Sequence, residues 1–195
     1  MITPLQAWQR LSAGNPSSPV QSPDRPIAAV FRCSDARLTN DEVFNQPPGT
    51  LIDVSTWGHT VDSSVLASVE YAIETLDVPL IVVLGHDDCP AMHAALRAWE
   101  HAELPAGAMR TTVEHALLSV VRRGTPADTV EAVTAAHIVE TGIALMQRSP
   151  AISSRIDGRT CGIVCATSGS TVGRLRVHGT FGAVADDTDA LVELV

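Results

Sequence analysis

The chain contains no lysine. All 13 of its basic residues are arginines, set against 22 acidic residues for a formal charge of -9 at pH 7. The arginines are scattered and form no stripe that could track phosphates, so nucleic acid is excluded as an expected partner. No apolar run approaches the roughly 20 residues that a membrane-crossing helix needs, so no membrane partner is expected. The opening MITPLQAWQRL lacks the basic start and long apolar stretch of a secretion signal, which sets the cytoplasm as the expected location. Cysteine is scarce, with only Cys33, Cys89, Cys161 and Cys165. In a reducing compartment such thiols serve as metal ligands or buried packing rather than as disulfides. Internal repeats and low-complexity tracts are also missing.

What remains is an ordinary globular composition. The 195 residues, 45% hydrophobic, suit one domain with a sizeable core. Residues 1–26 read as an N-terminal arm and 27–195 as the main α/β domain. Within the arm, TPLQAWQRL can form a helix with Leu5, Trp8 and Leu11 on one face. The stretch SAGNPSSPVQSPDRP then breaks regular structure. Docking on another subunit is one way to bury that helix.

The main domain alternates strands and helices. IAAVF (27–31) and LIDV (51–54) read as strands. Asp62 can cap a helix whose apolar face is Val65, Leu66, Val69, Ala72, Ile73 and Leu76. LIVVL (80–84) has no polar residue, as expected for a strand covered on both faces. Helices are expected from Pro90 to Glu103, over 108–123 and over 127–148, with further strands at 159–166 and 173–179. This alternation predicts a mostly parallel sheet flanked by helices. In such sheets ligands sit beyond the carboxyl ends of strands. Cys33 and His86 both follow such ends.

Two phrases carry the chemistry, RCSDAR (32–37) and GHDDCP (85–90). Thiolate and imidazole are zinc ligands, and a catalytic zinc keeps one position exchangeable. Cys33, His86 and Cys89 supply three donors, and one turn can present both His86 and Cys89 inward. The fourth position goes to water or to Asp35. A guanidinium holds a carboxylate bidentately, so Arg37 and Asp35 form a candidate gate. Paired with Arg37, Asp35 leaves the metal open; unpaired, it can ligate zinc and close the site. Cys161 and Cys165, four residues apart in an apolar run, read as buried thiols.

CSDAR, followed at a distance by SVEYAIETLDVPLIVVLGHDDC (68–89), resembles the β-class carbonic anhydrases, their bacterial members in particular. The match covers about residues 27 to 148 and continues more loosely through 154–175. The resemblance implies zinc held by Cys33, His86 and Cys89, a catalytic pair of Asp35 and Arg37, and a homodimer or homotetramer in which the N-terminal helix embraces its neighbour. It implies reversible hydration of carbon dioxide to bicarbonate and a proton by zinc-bound hydroxide. His59, Asp87 or Asp88 is the expected proton relay.

The sequence departs from the family pattern at several points. In DVSTWGH (53–59), Ser55 stands where an arginine is usual and Trp57 where a small residue is usual. Loss of that guanidinium is expected to weaken a dimer or anion site, and the indole to fill part of the mouth. Pro90 replaces a glycine, removing a backbone donor and restricting Cys89, with an expected retuning of the metal. Gln21 only loosely matches a family glutamine, and Ser168 stands where an aromatic is common, so no allosteric bicarbonate site is expected. These changes motivate two alternatives: a hydrolase of carbonyl sulfide or carbon disulfide, and a catalytically impaired zinc-binding homologue.

Overall fold

The protein is described from a computed structural model over residues 2–13, 25–169 and 175–184. Helix α1 (Pro4–Ser12) opens on a capping box between Thr3 and Gln6, with Pro4 at its first turn. Strand β1 (Ala28–Cys33) leads into a short helix α2 (Asn40–Phe44) and edge strand β2 (Leu51–Thr56). A turn over Trp57–His59 precedes α3 (Ser63–Glu70), whose N-cap Asp62 accepts from the N–H groups of Ser64 and Val65. One π-helical turn, Tyr71–Thr75, extends it. Strand β3 (Leu80–His86) follows. The chain then runs through α4 (Pro90–His101), α5 (Ala108–Arg123), α6 (Val130–Arg148) and α7 (Pro150–Asp157), and ends in β4 (Gly162–Ser168) and β5 (Leu175–Gly182).

The five strands form one sheet in the order β2-β1-β3-β4-β5. The first four are parallel and β5 is antiparallel to β4. This is the expected mostly parallel α/β sheet. Side chains alternate across it. Phe31, Ile81, Val83, Ile163 and Cys165 pack with α3, α6 and α7 on one face. Val30, Leu80, Val82, Leu84, Val164 and Ala166 face the other way, against α1 and α2.

That second face answers what buries the N-terminal helix. Leu11 and Ala7 are fully buried against this chain's own sheet, with Trp8 packed beside them. The short α2 leaves apolar strand surface exposed there, and α1 covers it. A neighbouring subunit is not needed for its burial.

The topology sets the position of the site. After β1 the chain turns through α2 to β2 on one side. After β2 it crosses through α3, on the opposite face, to β3 on the other side of β1. Between the carboxyl ends of β1 and β3 the strand order therefore switches, which leaves a crevice. Cys33 is the last residue of β1 and His86 the last of β3.

Candidate metal centre

Cys33 is fully buried, and Cys89 is 1% exposed. Between His86 and Cys89 the chain makes a tight turn with Asp88 at φ 57. Cys89 then takes the N-cap position of α4 in an extended conformation, φ -65 and ψ 119, with Pro90 at the first helical position. Proline drives its predecessor toward that conformation and gives up only an N–H that a helix start leaves unpaired. The N–H groups of Ala91 and Met92 remain, and both favour the thiolate of Cys89. Pro90 thus sets the ligand's backbone without removing its support.

One donor atom from each of Cys33, Asp35, His86 and Cys89 lies within 4.8 Å of the others. The two sulfurs are 3.9 Å apart. Tetrahedral zinc about 2.3 Å from each of two thiolates sets the sulfurs about 3.8 Å apart, so the pair fits zinc. His86 Nδ1 faces the backbone carbonyl of Asp87 at 2.9 Å. A carbonyl only accepts, so the proton sits on Nδ1 and Nε2 is left to coordinate, as in many metal-binding histidines. Asp35 Oδ1 is 3.1 Å from that Nε2 and 2.6 Å from Cys33 Sγ.

The electrostatics follow from crowding. The Cys33 thiol is raised, first by its contact with the Cys89 sulfur and then by burial. Cys89 is lowered, chiefly by its contact with Cys33. The two thiols therefore titrate as a coupled pair, and binding a dication between them would require both to be deprotonated. For His86, burial opposes the charged ring, but Cys33 and Asp35 outweigh it and the pKa is raised.

Arg37 is exposed at the rim. Among the described residues it forms no ion pair with Asp35; its charge instead helps, after the hydrogen bond from His93, to hold Asp88 low. The structure therefore shows the unpaired arrangement, with Asp35 turned toward the cluster.

The relay candidates separate. His59 is 3% exposed, its Nε2 bonds the Leu84 carbonyl, and burial lowers its pKa to about 3. It is an anchored core histidine and not a relay to solvent. Asp87 and Asp88 are exposed, and Asp88 lies 2.5 Å from His93 Nε2. They border a cavity of about 750 Å³ that His86, Thr167, Arg176 and His178 also line.

Trp57 packs, half-buried, against the group that holds Cys33, Cys89 and Met92. Ser55 is exposed and in register with Arg32 of β1. Sequence reasoning misses Arg32. Its guanidinium bonds Asp53 at 3.1 Å and the carbonyls of Ala36 and Leu38 at 3.3 and 3.4 Å. It thereby clamps the loop that carries Asp35 and Arg37. Ser168 donates to the Gly85 carbonyl at 3.3 Å. Cys161 and Cys165 are buried thiols, both pushed up to about 12 by burial. Gln21 lies outside the described residues.

Residues 28–175 match the family profile described as "Carbonic anhydrase". The chain is 39% identical over 201 residues to carbonic anhydrase 2 of Mycobacterium tuberculosis, covering 94% of this chain and 97% of that protein. It is 36% identical over 200 residues to the carbonic anhydrase of Mycolicibacterium smegmatis, with the same coverage. Among solved structures, one of the tetrameric beta-carbonic anhydrases of Sordaria macrospora superposes with a TM-score of 0.66 at 22% identity, covering 85% of this chain and 83% of that one. The beta-carbonic anhydrase CcaA gives 0.63 at 20% identity, over 78% and 79%. At such identities the structures attest the fold alone.

Proposed function

The chain belongs to the β-class carbonic anhydrase family, and we propose that Cys33, His86 and Cys89 hold its zinc while Asp35 and Arg37 govern the remaining position. The reaction is the reversible hydration of carbon dioxide to bicarbonate and a proton, and the cofactor is zinc. The observation that carries the assignment is the convergence of four donors within 4.8 Å at the switch point of the sheet.

When bound, zinc supplies the Lewis acidity that makes water a nucleophile near neutral pH. The protein's own groups do the rest. Nδ1–H of His86 holds the ring so that Nε2 faces the site. Asp35 has two destinations. Toward His86 and Cys33, where it now lies, it would compete with water for the bound metal. Swung to Arg37, it vacates that position and its free oxygen accepts a hydrogen bond from the attacking water, orienting it toward carbon dioxide. Trp57, packed half-buried against the cluster of Cys33, Cys89 and Met92, adds apolar surface beside the site. The proton leaves toward the cavity bordered by Asp87, Asp88 and His178.

We further propose a homodimer or homotetramer in the cytoplasm. The Sordaria relatives described as tetrameric support the first point. The second is supported by four free thiols, two of which must stay reduced to ligate. Zinc content per chain tests the ligand assignment. Wild type is expected to bind one zinc, and Cys89→Ser to lose most of it at matched chelator. Full zinc retention in Cys89→Ser would overturn the assignment.

A further inference from the structure

The turn Trp57–His59 is held from three sides. The Gly58 N–H donates to Cys33 Sγ at 3.1 Å. The Gly58 carbonyl accepts from His137 Nε2 at 2.9 Å. His59 Nε2 donates to the Leu84 carbonyl, also at 2.9 Å, two residues before His86. Gly58 and His59 both adopt left-handed backbone, φ 59 and 55. Two successive residues there persist only when neighbours over-determine them, above all when one is not glycine. Gly58 also has no room for a side chain. A Cβ would clash with Thr112 and lie 2.8 Å from the Ala91 Cβ.

Proton bookkeeping fixes the state of His137. Its Nε2 faces a carbonyl, which only accepts, and its Nδ1 faces Ser119 Oγ at 3.0 Å. The ring is 4% exposed, and burial lowers its pKa to about 4, so it carries one proton. That proton is on Nε2, because the Gly58 carbonyl can only accept, and the single Ser119 hydroxyl proton is shared between Nδ1 and the His115 carbonyl, 2.8 Å away. Ser119 on α5 and His137 on α6 thus reach back through one imidazole to the residue that touches the metal-binding sulfur.

We propose that His137 is a positioning residue for the metal centre: with Ser119 beside its Nδ1, it holds Gly58 so that the Gly58 N–H caps the Cys33 sulfur. The proposal rests on Cys33 being a zinc ligand. An N–H bonded to a thiolate draws electron density from it, leaving the metal more acidic toward its fourth ligand. In a site whose two thiolates already cancel the dication, such withdrawal bears directly on reactivity.

The test compares full-length, zinc-loaded wild type with His137→Leu, His137→Gln and Ser119→Ala. Glutamine keeps an N–H donor able to reach the Gly58 carbonyl, whereas leucine fills the space without one. In His137→Leu, zinc affinity by chelator competition is expected to fall about tenfold. The Gly58 amide should exchange faster, and the thiolate-to-metal band of the cobalt-substituted protein should move to longer wavelength. Glutamine should restore most of each. If His137→Leu lowers only the melting temperature and leaves affinity, exchange and band unchanged, His137 is packing and the proposal is overturned. If the leucine variant does not fold, Ser119→Ala carries the same three readouts at smaller amplitude, and wild-type values there overturn it equally. A Cys33→Ser protein that keeps full zinc affinity would sink the ligand assignment instead, so the two failures are distinguishable.

Discussion

Asp35 lies 2.6 Å from the Cys33 sulfur and 3.1 Å from Nε2 of His86, while Arg37 is exposed and forms no ion pair with it among the described residues. In the proposed mechanism the same carboxylate blocks or orients, depending on which partner it meets. Asp35→Asn should keep its zinc but lower kcat/KM for hydration by about a hundredfold, the scale of a lost proton-handling group. Arg37→Ala should keep zinc and also lose activity, because Asp35 has no alternative partner. Stopped-flow rates with zinc content measured in parallel check both. Activity near wild type in Asp35→Asn would remove this residue from the mechanism. The buried histidines make a second prediction at this scale. His59 and His137 are lowered to about 3 and about 4 from an ordinary 6.5. Unfolding frees them to take up protons, so below 6.5 the unfolded chain binds more. The stability they confer is present above that pH and is lost as pH falls. By pH 5 each accounts for about 2 kcal/mol. Melting temperatures from pH 7.5 to pH 5 should fall less steeply in His137→Gln than in wild type. Parallel slopes would contradict a neutral, buried His137.

Among the elements, α4 shows how a local departure from the family pattern is absorbed. Pro90 falls at the first helical position and holds Cys89 in the N-cap conformation. Pro90→Gly should therefore destabilise the fold by about 0.5–1 kcal/mol through the unfolded chain and leave zinc affinity within about threefold. A larger affinity change, read by chelator competition, would show that proline tunes the metal. Helix α1 makes the opposite kind of prediction. Leu11 is fully buried against the sheet of its own chain, so Leu11→Ala should cost about 2–4 kcal/mol, measured by denaturant unfolding. The clustering of Cys33, His86 and Cys89 was legible because each lies at a strand end or a helix start, where apolar runs and Pro90 mark the boundary. Strands β1 to β4 were legible for the same reason. Helices α2 and α7 escape a periodicity reading because they are too short to show one, although Thr39 with Glu42 and Ser149 with Pro150 cap them. Arg32 and His137 were not legible. The role of Arg32 requires the loop after β1 to fold back, and His137 is 79 residues from the carbonyl it holds.

For the molecule as a whole, the strand order places the reactive groups in the crevice between β1 and β3, with the helices α4, α5 and α6 forming one wall. One sheet face is covered by α3, α6 and α7, the other by α1 and the short α2. A homodimer or homotetramer predicts a solution mass two or four times the 20.6 kDa of one chain, read by light scattering. A monomer that is fully active would contradict that assembly. The most direct test of the central claim is stopped-flow hydration of carbon dioxide by zinc-quantified protein, from about pH 6 to pH 9, beside Cys33→Ser. Fast turnover that rises with pH in wild type, and is lost with zinc in Cys33→Ser, is the predicted result. Negligible turnover at one zinc per chain across that range would contradict it.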